Sequence, residues 1–81
     1  MTADLADIIA ELRASTEGVA AWNAAQTGGR EFDASLTING DLPRLLRPYS
    51  EPGGHLTLRG SVTTLRLLAA LLEEHLQERE A

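Results

Sequence analysis

The stretch HLTLRGSVTTLRLLAALLEEHLQER, residues 55–79, changes its apolar period from two to that of a helix within a few residues. Leu56 and Leu58 alternate with polar neighbours, which is typical of a half-buried strand. Ser61 or Thr63 is a suitable N-cap for the helical pattern that follows. The stretch therefore predicts a strand that turns directly into a long C-terminal helix, ending near residue 79.

Residues 31–39 show the same period of two and predict a first strand. Its inner side is predicted to hold Phe32, Ala34, Leu36 and Ile38. Between the strands, Asp41 is a suitable cap and Pro43 falls in the first turn that follows it. Residues 42–49 therefore predict a short helical turn. The apolar side of that turn is predicted to hold Leu42, Leu45, Leu46 and Tyr49. The pattern leaves two strand arrangements open, antiparallel or parallel through a crossover at 41–54.

The N-terminal segment has one apolar stripe at helical spacing, which begins at Leu5 and continues to Ala20. Thr2 is the predicted N-cap, and the helix is expected to run through Gly18 to about Gln26. The fold class that follows is α+β, in a single domain over residues 1–81. It consists of an N-terminal helix, a small two-stranded sheet with a short intervening helical turn, and a long C-terminal helix.

The composition narrows the class of protein. The 81 residues include seven arginines, no lysine and no cysteine, and the net charge is -5. Arginine without lysine is typical of a GC-rich coding sequence, and the absence of cysteine excludes disulfides and thiolate metal ligands. The longest apolar run, residues 67–72, is too short to span a membrane. We therefore expect an acidic cytoplasmic protein of a GC-rich bacterium or its phage, without membrane contact.

The C-terminal helix carries more apolar surface than one core requires. Leu65, Leu68 and Leu72 fall on one side at 100° per residue, whereas Leu67 and Leu71 fall outside that side. A helix with apolar residues on two sides is usually packed against neighbours on both. The second neighbour is predicted to be another chain, and the alternative is that the N-terminal helix and residues 42–49 cover the flank within the monomer.

Four residues are predicted to bind a partner. His75 belongs to the same flank, and Trp22 borders the apolar stripe of the first helix, where an exposed aromatic ring is a natural interface anchor. The predicted partner-binding residues are Leu67, Leu71, His75 and Trp22.

A homodimer is the expected form of the protein. A domain of this size buries only about 60% of the surface of its unfolded chain, so association would add stability. An isolated pair of strands is marginal and exposes edges that invite pairing. Pairing of two copies edge to edge would give a four-stranded sheet.

The arginines suggest an alternative function. Arg44 and Arg47 lie three residues apart and share a face of the short helical turn, and Arg30 and Arg59 could join them after folding. The fork of a guanidinium group suits both phosphates and carboxylates. The alternative is a regulatory or antitoxin-like protein that binds nucleic acid or a toxin, although the overall acidity disfavours nucleic acid.

The sequence gives little indication of catalysis. His55 and His75 have no third ligand at metal-site spacing, and no serine has the context of a nucleophile. The glycine pair 28–29 lacks the lysine and the strand-turn-helix context of a phosphate loop. We therefore expect no enzyme activity, no cofactor and no metal.

The expected function is that of a non-catalytic protein–protein interaction module, a small accessory or adaptor protein. The order helix, strand, strand, helix is similar to that of the small docking domains of modular synthetases, which hold a segment of their partner with a hairpin and flanking helices. This likeness is in element order, and no residue takes a role from it.

Overall fold

The computed structural model describes residues 4–26, 28–29, 31–39, 42–52 and 54–80. It confirms the predicted α+β architecture and element order. The elements are helix α1 (Leu5–Ala25), strand β1 (Ala34–Ile38), strand β2 (Leu56–Gly60) and helix α2 (Val62–Glu80), with a 3₁₀ turn at Arg47–Tyr49 between the strands.

Helix α1 is continuous through Gly18, as predicted. Gly18 is exposed, and a side chain there would meet no atom within 4 Å, so nothing forces a kink at this position. The N-cap is Asp4, whose Oδ1 accepts a hydrogen bond of 2.8 Å from the amide of Asp7. The cap predicted from sequence, Thr2, lies outside the described residues.

The two strands are antiparallel, which decides between the two arrangements left open by the sequence. Leu36 pairs with Leu58 at the centre of the ladder, and Ile38 pairs with Leu56 at one end. These side chains face the core, whereas the opposite side of the sheet is polar and exposed. The sheet is therefore covered by helices on one face only.

Helix α2 follows β2 after a single residue. That residue, Ser61, is the cap, because its Oγ accepts a hydrogen bond of 3.1 Å from the amide of Thr64. A side chain at Gly60 would lie 3.5 Å from Thr64 and 3.8 Å from Leu65. The end of β2 and the first turn of α2 are thus in close contact, which sets α2 against the inner face of the sheet.

One hydrophobic core joins the four elements. Ile8, Leu12 and Leu65 are among its most completely buried side chains, and Thr16 is buried beside them with its hydroxyl donating to the Leu12 carbonyl at 2.6 Å. The buried apolar residues are Leu5, Ile8, Ile9, Leu12, Ala34, Ile38, Leu42, Leu46, Leu56, Leu65, Ala69 and Leu72.

Two aromatic residues were wrongly predicted to face the core. Tyr49 is 67% exposed because a three-residue 3₁₀ turn replaces the expected α-helical turn, so the 100° spacing does not apply. Phe32 is 42% exposed because β1 begins only at Ala34. Leu42 and Leu46 of the same connection are buried, as predicted.

Asn23 fixes the path of the chain from α1 to β1. Its Oδ1 accepts from the amide of Phe32 at 2.8 Å, and its Nδ2 donates to the Phe32 carbonyl at 3.2 Å. The side chain therefore binds both backbone groups of one residue, which holds the segment before β1 against the last turns of α1.

Asn23→Ala is expected to lower the free energy of unfolding by about 1–2 kcal/mol, because two hydrogen bonds are lost. Urea unfolding followed by circular dichroism measures the change. Gln77→Ala, at an exposed position of α2, is the control and is expected to stay within about 0.5 kcal/mol of the wild type. Equal midpoints for the two variants would contradict the role given to Asn23.

Candidate partner-binding surfaces

Two ion pairs mark the sides on which α1 and α2 face each other. Arg13 pairs with Glu73. Arg66 donates two hydrogen bonds to the carboxylate of Glu17, Nη2 to Oε1 at 2.6 Å and Nε to Oε2 at 2.8 Å. The order of these pairs along the chain shows that the helices are antiparallel.

The exposed pair Leu67 and Leu71, here called the leucine ridge, lies on another side of α2. The two side chains are one helical turn apart and are 60% and 53% exposed. At 100° per residue they lie about 100–160° around α2 from Arg66 and Glu73. Neither α1 nor the 42–49 connection covers them, so the intramolecular alternative considered from the sequence is wrong.

Two half-buried residues border the leucine ridge. Leu68 is packed against the core, and His75 lies one turn beyond Leu71 on the same flank. The apolar surface of α2 is therefore continuous from the core, through Leu68, to the leucine ridge. Leu67, Leu71 and His75 share one flank of α2, and their role in partner binding stays a prediction.

Trp22 lies elsewhere. It is 59% exposed on α1 and lies about 140° around that helix from Glu17, on the side away from α2. The structure therefore does not bring Trp22 to the leucine ridge.

The two edges of the sheet differ. The hydroxyl of Ser15 donates to the carbonyl of Ser35 at 2.8 Å, so α1 covers the outer edge of β1. Ser35 faces Arg59 in the ladder. From this bond on the α1 side of β1, and from the 3.3 Å approach of the Thr37 and Thr57 hydroxyl oxygens, we infer that these two pairs do not exchange ladder hydrogen bonds.

It follows that the backbone groups of Thr57 and Arg59 point away from β1. Both residues are exposed, and no hydrogen bond to these outward groups is found within the described part of the chain. We call this row of backbone groups the free edge of β2. The sequence indicates that a two-stranded sheet has open edges. It does not indicate which edge is covered, because the Ser15–Ser35 hydrogen bond that marks the covered edge joins residues 20 positions apart.

The arginines of the predicted patch are not all together. Arg44 and Arg47 lie in the connection between the strands, where Nε of Arg47 donates to the Leu42 carbonyl at 3.0 Å. Arg59 lies on the polar face near the far end of β2. Arg30 lies outside the described residues.

His55 and Glu51 close the turn that precedes β2. His55 Nε2 is 2.7 Å from Glu51 Oε2, and the amide of Glu51 donates to the His55 carbonyl at 2.7 Å. Across the residues that the structure describes, no group of three histidine or acidic side chains is placed to hold a metal ion.

A cleft of about 300 Å³ lies between the last turns of α1 and the first turn of α2. No pattern in the sequence indicates this cleft, because it forms only where the end of α1 meets the start of α2. Its charged lining groups are Glu31 and Arg66, and Arg66 is already bound to Glu17. The cleft therefore offers few free polar groups to a ligand.

Comparison of the sequence with family models, and of the chain with curated proteins and solved structures, finds no significant match. Among the described residues, neither helix combines the length and the apolar character needed to cross a membrane.

The Glu17–Arg66 pair predicts a pH effect. The hydrogen-bonded guanidinium of Arg66 holds the pKa of Glu17 below its ordinary value. A carboxyl whose pKa is lower in the folded state stabilises the fold above its unfolded pKa, and this contribution disappears as the pH falls through the folded pKa. Arg66→Gln is therefore expected to raise the pKa of Glu17, as measured by NMR titration of its carboxyl carbon.

The stability difference between wild type and Arg66→Gln should accordingly be largest near neutral pH and shrink in acid. Arg44→Gln, which removes an equal charge from the strand connection, is the matched control and should leave the titration of Glu17 unchanged. Identical titration of Glu17 in wild type and Arg66→Gln would show that the pair does not form in solution.

Proposed function

We propose that this chain is a non-catalytic protein–protein interaction module that binds through the leucine ridge of α2. The observation that carries the proposal is the exposure of Leu67 and Leu71, one turn apart, on a helix whose other apolar side is already buried. Full burial of a leucine side chain contributes about 1.5–3 kcal/mol. Covering two that are more than half exposed therefore contributes about 2–3 kcal/mol to binding.

The surroundings of the leucine ridge suit an interface. Half-buried Leu68 and His75 flank it, and exposed Glu74 and Glu78 follow along the helix. An apolar centre beside charged residues is the usual arrangement of a protein interface. The charged residues at the rim would orient the partner more than they would hold it.

The proposal assigns no catalytic residue and no cofactor. His55 lies at the start of β2 and pairs with Glu51, whereas His75 lies on α2. The two histidines thus belong to different elements, and neither is hydrogen-bonded to a serine among the described side chains. The module would be an accessory or adaptor protein in the cytoplasm of a GC-rich bacterium or its phage, and the composition, with arginine but no lysine, supports the GC-rich source.

Leu71→Glu is expected to abolish binding at the leucine ridge, because it places a charge in the apolar centre of the interface. The residue is 53% exposed, so the free energy of unfolding of the isolated chain should change by less than about 1 kcal/mol. Light scattering over a dilution series measures association. The wild type should exceed the monomer mass of 8.7 kDa at high concentration, and the variant should not.

Gln77→Glu provides the matched control, since it adds the same charge to an exposed position about 120° around α2 from Leu71. It should associate as the wild type does. Equal loss of association in both variants would indicate a general charge effect and would count against the leucine ridge.

The arginine-based alternative has less support, because Arg59 lies away from Arg44 and Arg47, and Arg47 is engaged with the Leu42 carbonyl. It predicts binding to a DNA duplex that weakens steeply with salt. A direct test is titration of a 20-base-pair duplex with wild type and Arg44→Glu at two salt concentrations. We expect no salt-dependent binding in either protein, and binding that Arg44→Glu removes would favour the alternative.

A further inference from the structure

We propose that a second copy of this chain covers Leu71 of the leucine ridge and adds its β2 to the free edge of β2 in a symmetric antiparallel pair centred on Leu58. This inference rests on the proposed function, because it names the partner of the same ridge. The product is one four-stranded sheet in the order β1-β2-β2-β1, with two α2 helices side by side on its inner face.

The free edge and the leucine ridge lie on the same side of the molecule. Helix α1 occupies the β1 edge through the Ser15–Ser35 hydrogen bond, and α2 meets α1 through Arg66 and Glu73. The opposite side of α2, which carries Leu71, is therefore the side above the free edge of β2. A second copy that pairs with β2 would bring its own α2 toward Leu71.

The free edge is self-complementary about a two-fold axis. The outward backbone groups of Thr57 and Arg59 are placed symmetrically around Leu58, so each copy offers two donors and two acceptors to the other. Thr57 of one copy lies opposite Arg59 of the other, so the two arginines do not face each other directly. Leu58, half-buried and packed against the core, meets its own copy at the axis.

Helix α2 is the helix nearer to the free edge in each copy. It packs against β2, whereas α1 packs against β1. Pairing of the two β2 strands would therefore bring the two α2 helices next to each other, with Leu68, Leu71 and His75 on the facing sides.

The exposed area also fits a second copy. The isolated chain exposes 5656 Å², whereas a folded monomer of its mass, 8.7 kDa, exposes about 4,700 Å². The excess of about 900 Å² is close to the roughly 800 Å² that each partner buries in an ordinary interface. The radius of gyration, 13.7 Å, likewise exceeds the value of about 12 Å for a compact chain of this length.

Arg59→Pro tests the strand pairing, with Arg59→Ala as its control. Compared with alanine, proline also removes the amide hydrogen of residue 59, which points away from β1, and an edge strand tolerates this change. Two hydrogen bonds would be lost per dimer, one in each copy, which corresponds to dimerisation about 30-fold weaker. Arg59→Ala changes the same side chain but keeps the amide, so it should dimerise within a few-fold of the wild type.

Sedimentation equilibrium measures these constants, and circular dichroism shows whether each variant is folded. A wild type that remains monomeric at millimolar concentration would overturn the inference, as would equal dimerisation of Arg59→Pro and Arg59→Ala. If Leu71→Glu dissociates the dimer while Arg59→Pro does not, the leucine ridge stands as the interface and the strand pairing is wrong.

Leu58→Cys gives a second test if Arg59→Pro does not fold. The chain has no cysteine, so any disulfide must join two copies. At the axis, the facing Cα atoms of residue 58 would be about 4.5 Å apart, within the range that a disulfide accepts. Leu58→Cys should form a covalent dimer under mild oxidation faster than Thr57→Cys, whose residue faces Arg59 of the second copy. Equal or slower formation would overturn the proposed register.

Discussion

A sheet of two strands has two edges, and in this protein a hydrogen bond between α1 and β1 marks the one that is covered. The Ser15–Ser35 hydrogen bond places α1 against the edge of β1. Helix α1 packs against β1 and α2 against β2, and one core joins both helices to the inner face of the sheet. The unpaired edge of β2, the position of α2 and the side on which its leucines are exposed all follow from this arrangement.

The short connection between β2 and α2 fixes the orientation of α2 relative to the sheet. Ser61 is the only residue between them, and Gly60 lies close to Thr64 and Leu65, so the helix has little freedom to rotate relative to the strand. The Arg66–Glu17 and Arg13–Glu73 pairs then face α1. Burial of Leu65, Ala69 and Leu72 leaves Leu67 and Leu71 outside the core. The exposed leucines are thus a consequence of how the core is built.

Sequence periodicity predicted the elements and much of the core because both depend on local spacing. It identified Leu67 and Leu71 as surplus to the core, and it named Ser61 as a possible cap.

Sequence periodicity failed at Tyr49 and Phe32, where a 3₁₀ turn and a late strand start replace the expected period. It could not choose between antiparallel and parallel strands, nor identify the covered edge, because both depend on contacts between residues far apart in the chain, such as Ser15 with Ser35. Trp22 shows the same limit, since its apolar character did not reveal that it lies on the side of α1 away from the leucine ridge.

The central claim is that the outward backbone groups of β2 are satisfied by a second copy. Amide hydrogen exchange of Thr57 and Arg59, measured by NMR at low and high protein concentration, tests it most directly. If β2 pairs with a second copy, both amides are protected at high concentration and exchange rapidly on dilution. The amide of Leu58, which faces β1, stays protected at both concentrations. Rapid exchange of Thr57 and Arg59 at every concentration would contradict the account.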